Sequence, residues 1–417
     1  MKPAQKSILF ISGNYYPEPT GIGKYNGEMV ELFAKLGFEC TVITSYPYYP
    51  FWKVQQPYNK CSKRYLKEFR FLPSHLGNPI KIYRCPQYVP GDPTSKKRIV
   101  LDFTFLCFAF FKVLQLLFQR KYDYVITVAP SFQIGLCGLF YKKMKGAKFL
   151  YHIQDLQIDA ARELRMIKSE LVIKSLLKVE KVILNNADIV SSISSGMIKK
   201  ISGRCKKEII LFPNWVDVRM FYPLDQKNLL KEEFDFGASD RVVLYSGAIG
   251  EKQGLENILD VADALRHLHD LKFVICGSGP YKERLKMMTE KMHLNNVFYL
   301  PLQPVEKLNR LLNMADVHLV LQKKDAGDLV MPSKLTTILS VGGLAIVSAN
   351  PGTNLHTLVS THEVGIVINP SHQNFLLKAI ENVFVNNYEY IKRNARRYAE
   401  EFLSVENVFP KFLSRFQ

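Results

Sequence analysis

The stretch RVVLYSGAIGEKQGLENILDVADAL, Arg241 to Leu265, reads as a short buried strand, a glycine turn carrying Lys252, and a segment of helical length. It falls in the middle of a 417-residue chain and restarts a pattern that the first half has already run through once. Downstream, KFVICGSG, NVFYLPL, DVHLVLQ, LAIVSAN and GIVINP repeat the strand signal, each separated from the next by enough residues for a helix. Upstream, SILFISG, the amphipathic GIGKYNGEMVELFAKLG and ECTVITS form one strand–helix–strand unit, followed by strand signals at YDYVITVA, KFLYHIQ, ADIVSSIS and EIILFPN.

Two doubly wound, Rossmann-like α/β domains facing a central cleft are therefore expected. The chain is long for a single core and suits two. The boundary is drawn in FPNWVDVRMFYP, a linker of turn-forming and aromatic residues. Residues 1–215 make the first domain, 216–395 the second, and 396–417 a terminal helix expected to return toward the first domain. Ligands of open α/β sheets bind beyond the carboxyl ends of the strands, so the active site is expected in the cleft.

Charge divides at the same place. Residues 1–215 hold 33 Lys and Arg against 15 Asp and Glu, whereas residues 216–417 hold 23 of each, so the net charge of +18 belongs wholly to the first half. Such asymmetry calls for an anionic partner. No helix-turn-helix, zinc-finger or RNP-type pattern is present, which disfavours nucleic acid and favours an anionic membrane surface. Seven scattered cysteines without a C-x-x-C pair argue against a zinc site or disulfide framework. The N-terminal apolar run is too short for a signal peptide, and a cytoplasmic location is expected.

Ile99 to Phe118, within SKKRIVLDFTFLCFAFFKVLQLLFQRK, has the length of a bilayer span. Asp102, Lys112 and Gln115 interrupt it, and charge is costly in hydrocarbon. Of the three readings, core helix, spanning helix, or a helix packed on the sheet with a Phe-rich face dipped into one leaflet, the third is preferred. The aromatic loop SYPYYPFWK and the basic run KCSKRYLKEFR lie in the same domain and add candidate interfacial contacts.

The loops after the strands carry the chemistry. GNYYPEPTGIGKYNGE holds Gly13, Gly21 and Gly23, which allow close backbone approach to a ligand. Its spacing is not G-x-G-x-x-G, and no acid follows the second strand to hold a ribose, so a simple NAD enzyme is disfavoured. In the second half, Gly247, Gly277 and Gly279 mark two glycine turns, and GDLVMPSKLTTILSVGG places Pro332, Ser333 and Lys334 at the first turn of a helix. A cation at an already positive helix end is explained by an incoming phosphate. Three such features on one edge suit a nucleotide diphosphate.

The segments EKQGLENIL, CGSGP, LPLQP, MPSKLTTILSVGG and FPNWVD resemble, end to end, the signatures of GT-B fold glycosyltransferases of family 4. Within it the chain is most similar to the fucosyl and N-acetylfucosaminyl transferases of colanic acid, O-antigen and capsule assembly. The resemblance implies transfer of L-fucose or N-acetyl-L-fucosamine, with retention, from a UDP- or GDP-sugar to an undecaprenyl-type lipid-linked acceptor, on the inner face of the cytoplasmic membrane. It implies no cofactor and no metal. His152 in YHIQDLQIDAA matches a histidine near the reacting carbon; Asp155 either orients it or binds acceptor, and Asp159 is a weaker candidate. Lys252 matches the base that neutralises the leaving diphosphate, where charge builds as the sugar–phosphate bond breaks. Donor contacts are expected from Gly23, Gly247, Lys252, Gly277, Gly279, Leu302, Gln303, Ser333, Lys334, Leu335 and Thr337.

Two departures from the family stand out. Ala248 occupies a position where many members carry arginine, and a Glu-x7-Glu pair is replaced near Leu329 and at Thr337, with Asp328 a possible substitute. An altered pocket for a 6-deoxy sugar follows from that reading. A nucleotide-sugar 2-epimerase of the same fold and an inactive assembly scaffold are the rivals. The basic first domain and Phe-rich helix do not suit the epimerase; retained Lys252, Lys334 and His152 argue against the scaffold.

Overall fold

The computed structural model describes residues 5–19, 21–73, 77–163, 167, 169–323, 332–371 and 374–415. The chain divides into two units, Met1–Leu211 and Phe212–Gln417, a few residues before the boundary drawn from sequence.

The first unit is built on eight strands: β1 (Ser7–Ile11), β2 (Glu39–Ser45), β3 (Leu66–Arg70), β4 (Ile80–Cys85), β5 (Tyr124–Ala129), β6 (Lys148–Ile153), β7 (Ile189–Ser192) and β8 (Ile209–Leu211). Their order is β3-β4-β2-β1-β5-β6-β7-β8. All neighbours are parallel except β3, which runs antiparallel to β4. β1 and β5 are buried along their whole length, as expected of parallel strands covered on both faces. β3 and β4 were not anticipated. Residues 66–70, LKEFR, alternate between half-buried and exposed at the sheet edge, and such a charged edge strand resists pairing with another chain. Part of what reads in sequence as a basic run is therefore an edge strand.

Helices α1 (Gly21–Lys35), α2 (Ser95–Leu116) and α3 (Gly135–Lys145) follow β1, β4 and β5. α2 carries two apolar stripes. Leu101, Phe105, Ala109, Val113 and Leu116 are buried, facing β2 and β4, while Ile99, Val100, Phe103 and Phe111 point outward and are each more than 45% exposed. The two interrupting charges are both engaged by protein. Asp102 accepts from Gln157 Nε2 at 2.7 Å, and Lys112 lies 4.7 Å and 4.8 Å from the ring centroids of Tyr65 and Tyr83.

The second unit has six parallel strands: β9 (Arg241–Ser246), β10 (Leu271–Cys276), β11 (Val297–Leu300), β12 (Val317–Val320), β13 (Ala345–Ser348) and β14 (Ile366–Ile368), in the order β11-β10-β9-β12-β13-β14. Alternate residues feed two cores. Val242, Leu244 and Val274 face one; Val243, Tyr245 and Phe273 face the other. The order reverses between β9 and β12, the switch point at which doubly wound sheets open a crevice for ligands. The terminal helix Val405–Leu413 is held within this unit. Phe412 stacks on Phe212 at 3.8 Å and 7°, Phe409 meets Trp215 edge-on, and Val216 bridges Ser404. These contacts come from Phe212, Trp215 and Val216 of the linker segment FPNWVDVRMFYP.

Candidate active site

The carboxyl edge of the second sheet is shaped by close backbone approach. The loops after β9 and β10 are stitched together by Gly247 N–H donating to Cys276 O and Ile249 N–H to Ser278 O, both at 2.9 Å. A Cβ at Gly277 would stand 1.9 Å from Gly247 O, and one at Gly279 would stand 2.1 Å from Ile249 O. Both residues also have positive φ, +152° and +155°, which side chains rarely adopt. Their lack of side chains lets the two loops lie flat against each other. Beside them, Gln303 Nε2 and Cys276 Sγ both donate to Pro301 O, drawing the Leu302–Gln303 turn onto the same edge.

Lys334 opens the short helix Lys334–Ser340. Pro332 precedes this helix rather than occupying its first turn, and the Ser333 side chain makes no capping hydrogen bond. The seven-residue helix supplies little dipole, so the lysine itself carries the electrostatics. Part of its stem is accessible, but Nζ is enclosed, 3.4 Å from the centroid of the Tyr245 ring and beneath Gly247. Among the described residues Nζ has no hydrogen-bond partner and no ion pair, and burial pushes its pKa well below the usual lysine value. A buried cation without an anion is costly. Tyr245, the ring under it, is pinned by its hydroxyl donating to Ala248 O at 2.7 Å.

Lys252 differs in kind. It sits in the single turn Glu251–Gln253 with its side chain exposed, and its carbonyl accepts from Lys323 N–H at 2.9 Å. Leu335 is buried in the helix and packs into the core. Thr337 Oγ1 donates to Lys334 O at 3.0 Å, so its hydroxyl is taken by its own helix. Asp328 and Leu329 lie outside the described residues. Among the described residues no group of three or more His, Cys, Asp or Glu is placed to hold a metal.

In the first unit His152 is the penultimate residue of β6, between Val128 and Ser191 in register. It is 1% exposed, its Nδ1 lies 2.9 Å from Ser191 Oγ, and burial pushes its pKa down to about 3. The imidazole is neutral at pH 7. It can hydrogen-bond but cannot deliver a proton as an acid. Asp155 follows the strand end and is half-buried. Asp159 is occupied elsewhere: both its oxygens accept from Arg204 at 2.8 Å, and Arg204 Nε also lies 3.1 Å from Glu180.

At Gly23 a Cβ would stand 2.5 Å from Glu18 Oε2, so its smallness makes room for a side chain of the same loop. Glu18 itself escaped the sequence reading. It is 3% exposed and accepts from Tyr48 N–H, Tyr49 N–H and Asn14 Nδ2 at 3.0–3.2 Å. Burial nevertheless raises its pKa to about 7.

That shift gives a testable pH dependence. A carboxyl raised in the folded state favours the protonated native form, so its contribution to stability declines as pH rises from its unfolded value of 4.5 to about 7. Glu18→Gln has no such loss. Thermal melts of both proteins from pH 5 to 8 should show the variant gaining on the wild type up to neutrality, by on the order of 2–3 kcal/mol, and then a constant difference. A difference independent of pH would contradict the buried-carboxyl account.

Two doubly wound α/β domains in succession, the second with two glycine loops and an enclosed lysine at its switch point, make the architecture of a GT-B fold, and the comparisons with known proteins show a nucleotide-sugar-dependent glycosyltransferase. The chain belongs to the group 1 glycosyl transferases: residues 226–400 match that family. The Escherichia coli (strain K12) protein described as a putative colanic acid biosynthesis glycosyl transferase, WcaI, is 38% identical over 419 residues, 98% of each chain. Solved structures share the fold at lower identity. Sucrose-phosphate synthase from Thermosynechococcus elongatus has a TM-score of 0.74 at 17% identity over 99% of this chain and 98% of its own. Anabaena HepE, crystallised with UDP and glucose, has 0.71 at 12% over 99% of both.

Proposed function

We propose that this enzyme transfers a deoxy sugar, L-fucose or N-acetyl-L-fucosamine, from UDP or GDP to a lipid-pyrophosphate-linked glycan of bacterial surface polysaccharide, with retention, at the inner face of the cytoplasmic membrane. The enclosed Nζ of Lys334 carries the donor half of this reading. A diphosphate placed over Gly247 supplies an anion for the lysine, which has none among the described residues, and the exposed Lys252 of the same loop can swing onto the leaving phosphate. The neutral His152 and the side chain of Asp155 serve as polar contacts at the carboxyl edge of the first sheet. Thr337 in place of a carboxylate supports a sugar with fewer hydroxyls to grip. The resemblance to WcaI supports colanic acid or a related polymer.

The membrane half rests on the outer stripe of α2, the stretch Lys96–Leu116 being long and apolar enough to cross a bilayer by length and composition. Beside it, α3 and the helix Glu170–Asn186 form one layer. That last helix exposes Leu171, Val179 and Val182 among Lys174, Lys178 and Lys181. An apolar face fringed by lysines suits an anionic leaflet.

Thermal-shift titration with UDP, GDP and their fucose and N-acetylfucosamine conjugates tests the donor assignment. One base series should raise the melting temperature progressively with ligand concentration. Product formed with a lipid-pyrophosphate acceptor should keep the donor's anomeric configuration. No shift with any of these nucleotides would refute the reading.

A further inference from the structure

The first unit contains a groove of about 750 Å³ that none of the roles above uses. It is assembled from four segments: the aromatic loop with Phe51, Trp52 and Lys53, the basic run with Lys63, the loop after β4 with Tyr88, and α2 with Thr104 and Phe108. Its volume lies within the range of small-molecule sites. The walls are fixed. Tyr88 N–H donates to Thr104 Oγ1 on α2 at 3.1 Å, Tyr65 OH donates to Phe108 O at 2.9 Å, and the Arg98 guanidinium stacks over Trp52 at 4.9 Å.

Two properties select an occupant. The walls are aromatic while Lys53 and Lys63 on the rim are exposed, so the ligand has an apolar body and an anionic head. Residues 51–70 contain six basic side chains against the single acid Glu68, and Glu68 is taken by Arg84 at 2.7 Å. Thr104 and Phe108, which line the groove, are flanked on α2 by the outward-facing Phe103 and Phe111. The groove thus opens along the same apolar stripe that is proposed to meet the leaflet, and a chain held in the bilayer can enter it without crossing water.

We propose that this groove binds the phosphate and the adjoining isoprenoid units of a prenyl-phosphate lipid, with Lys53 and Lys63 on the phosphate and the aromatic walls on the chain. The inference rests on the proposed lipid-linked acceptor and places that acceptor's carrier end beside the loops that follow β2 and β4.

The two tryptophans of the chain make it testable. Trp52 lines the groove, whereas Trp215 is buried in the second unit. In a Trp215→Phe background, farnesyl phosphate added below its aggregation threshold should change Trp52 emission saturably. Inorganic phosphate and farnesol at the same concentrations should not. Lys53→Glu combined with Lys63→Glu, both on exposed side chains, should weaken farnesyl phosphate binding by about tenfold or more at low salt, with an unchanged melting temperature. Binding of these variants to phosphatidylglycerol–phosphatidylcholine vesicles should fall less than that of Phe103→Ser/Phe111→Ser, which separates groove from leaflet contact. An equal emission change in the lysine variants, a response to inorganic phosphate alone, or no saturable response overturns the groove assignment. Transfer to lipid-linked acceptor that persists unaltered in the lysine variants overturns it while leaving the proposed reaction intact. A lipid-free glycan glycosylated as well as the lipid-linked one refutes the reaction without touching farnesyl phosphate binding.

Discussion

Lys334→Met is expected to weaken nucleotide-diphosphate binding, lower turnover by about two to three orders of magnitude, and at the same time raise the melting temperature of the ligand-free protein. The two effects share one cause. Nζ is enclosed over Tyr245 without an anion among the described residues, so its desolvation weakens the empty protein and its charge is recovered only when a diphosphate arrives. The direction with pH follows. A lysine whose folded pKa is depressed favours the neutral native form, so its contribution to stability is lost as pH falls from the unfolded value of 10.5 through the folded one. The stabilising effect of the methionine is therefore largest at low and neutral pH and shrinks as pH approaches 10.5. A bound diphosphate raises the lysine's pKa again, so affinity for it should fall less steeply with rising pH in Lys334→Met than in the wild type. Wild-type affinity in Lys334→Met would remove this lysine from the donor site.

Gly277→Ala is expected to cost about 3 kcal/mol of stability and to weaken donor binding by more than tenfold. The added Cβ would stand 1.9 Å from Gly247 O at a φ of +152°, so the loops must separate or the backbone must strain. Separation breaks the Gly247 N–H to Cys276 O bond and lifts Gly247 from its place over Lys334. Urea unfolding and nucleotide titration measure the two losses. Gly203→Ala, where a Cβ meets nothing within 4 Å and φ is not positive, is the control and should be near neutral. A Gly277→Ala protein as stable as that control would show that the close approach is not required.

The second domain was legible almost completely, because its strands are short apolar runs, two of them, β9 and β10, closed by glycine. All six strands anticipated there are present, and the glycine turns lie where they were expected. The first domain was less open to reading. β3 escaped because the edge strand LKEFR alternates charged with apolar residues and resembles a solvated basic segment, and the interior strand β4, IKIYRC, because Lys81 and Arg84 interrupt its apolar run. At Gly23 the glycine announces only that space is needed, while its neighbour there, Glu18, is identified by contact. Glu18 in turn looks like any loop acid until the amides of Tyr48 and Tyr49, some thirty residues on, close over it.

What the sequence by itself determined is what depends on local order: the two strand–helix series, the glycine turns, the position of Lys334 and Lys252 beside them, and the charge divided between the halves. Hydrophobic period, turn chemistry and net charge are properties of neighbours along the chain. Tertiary structure alone decided which charges are left without partners. It paired Asp159 with Arg204, turned Asp102 inward to Gln157, enclosed Glu18 and left Lys334 Nζ without a hydrogen-bond partner among the described residues. It also drew residues from 51 to 108 into a single groove. Burial and pairing are set by residues far apart in sequence, and the cost of desolvating a charge depends on what those residues bring to it.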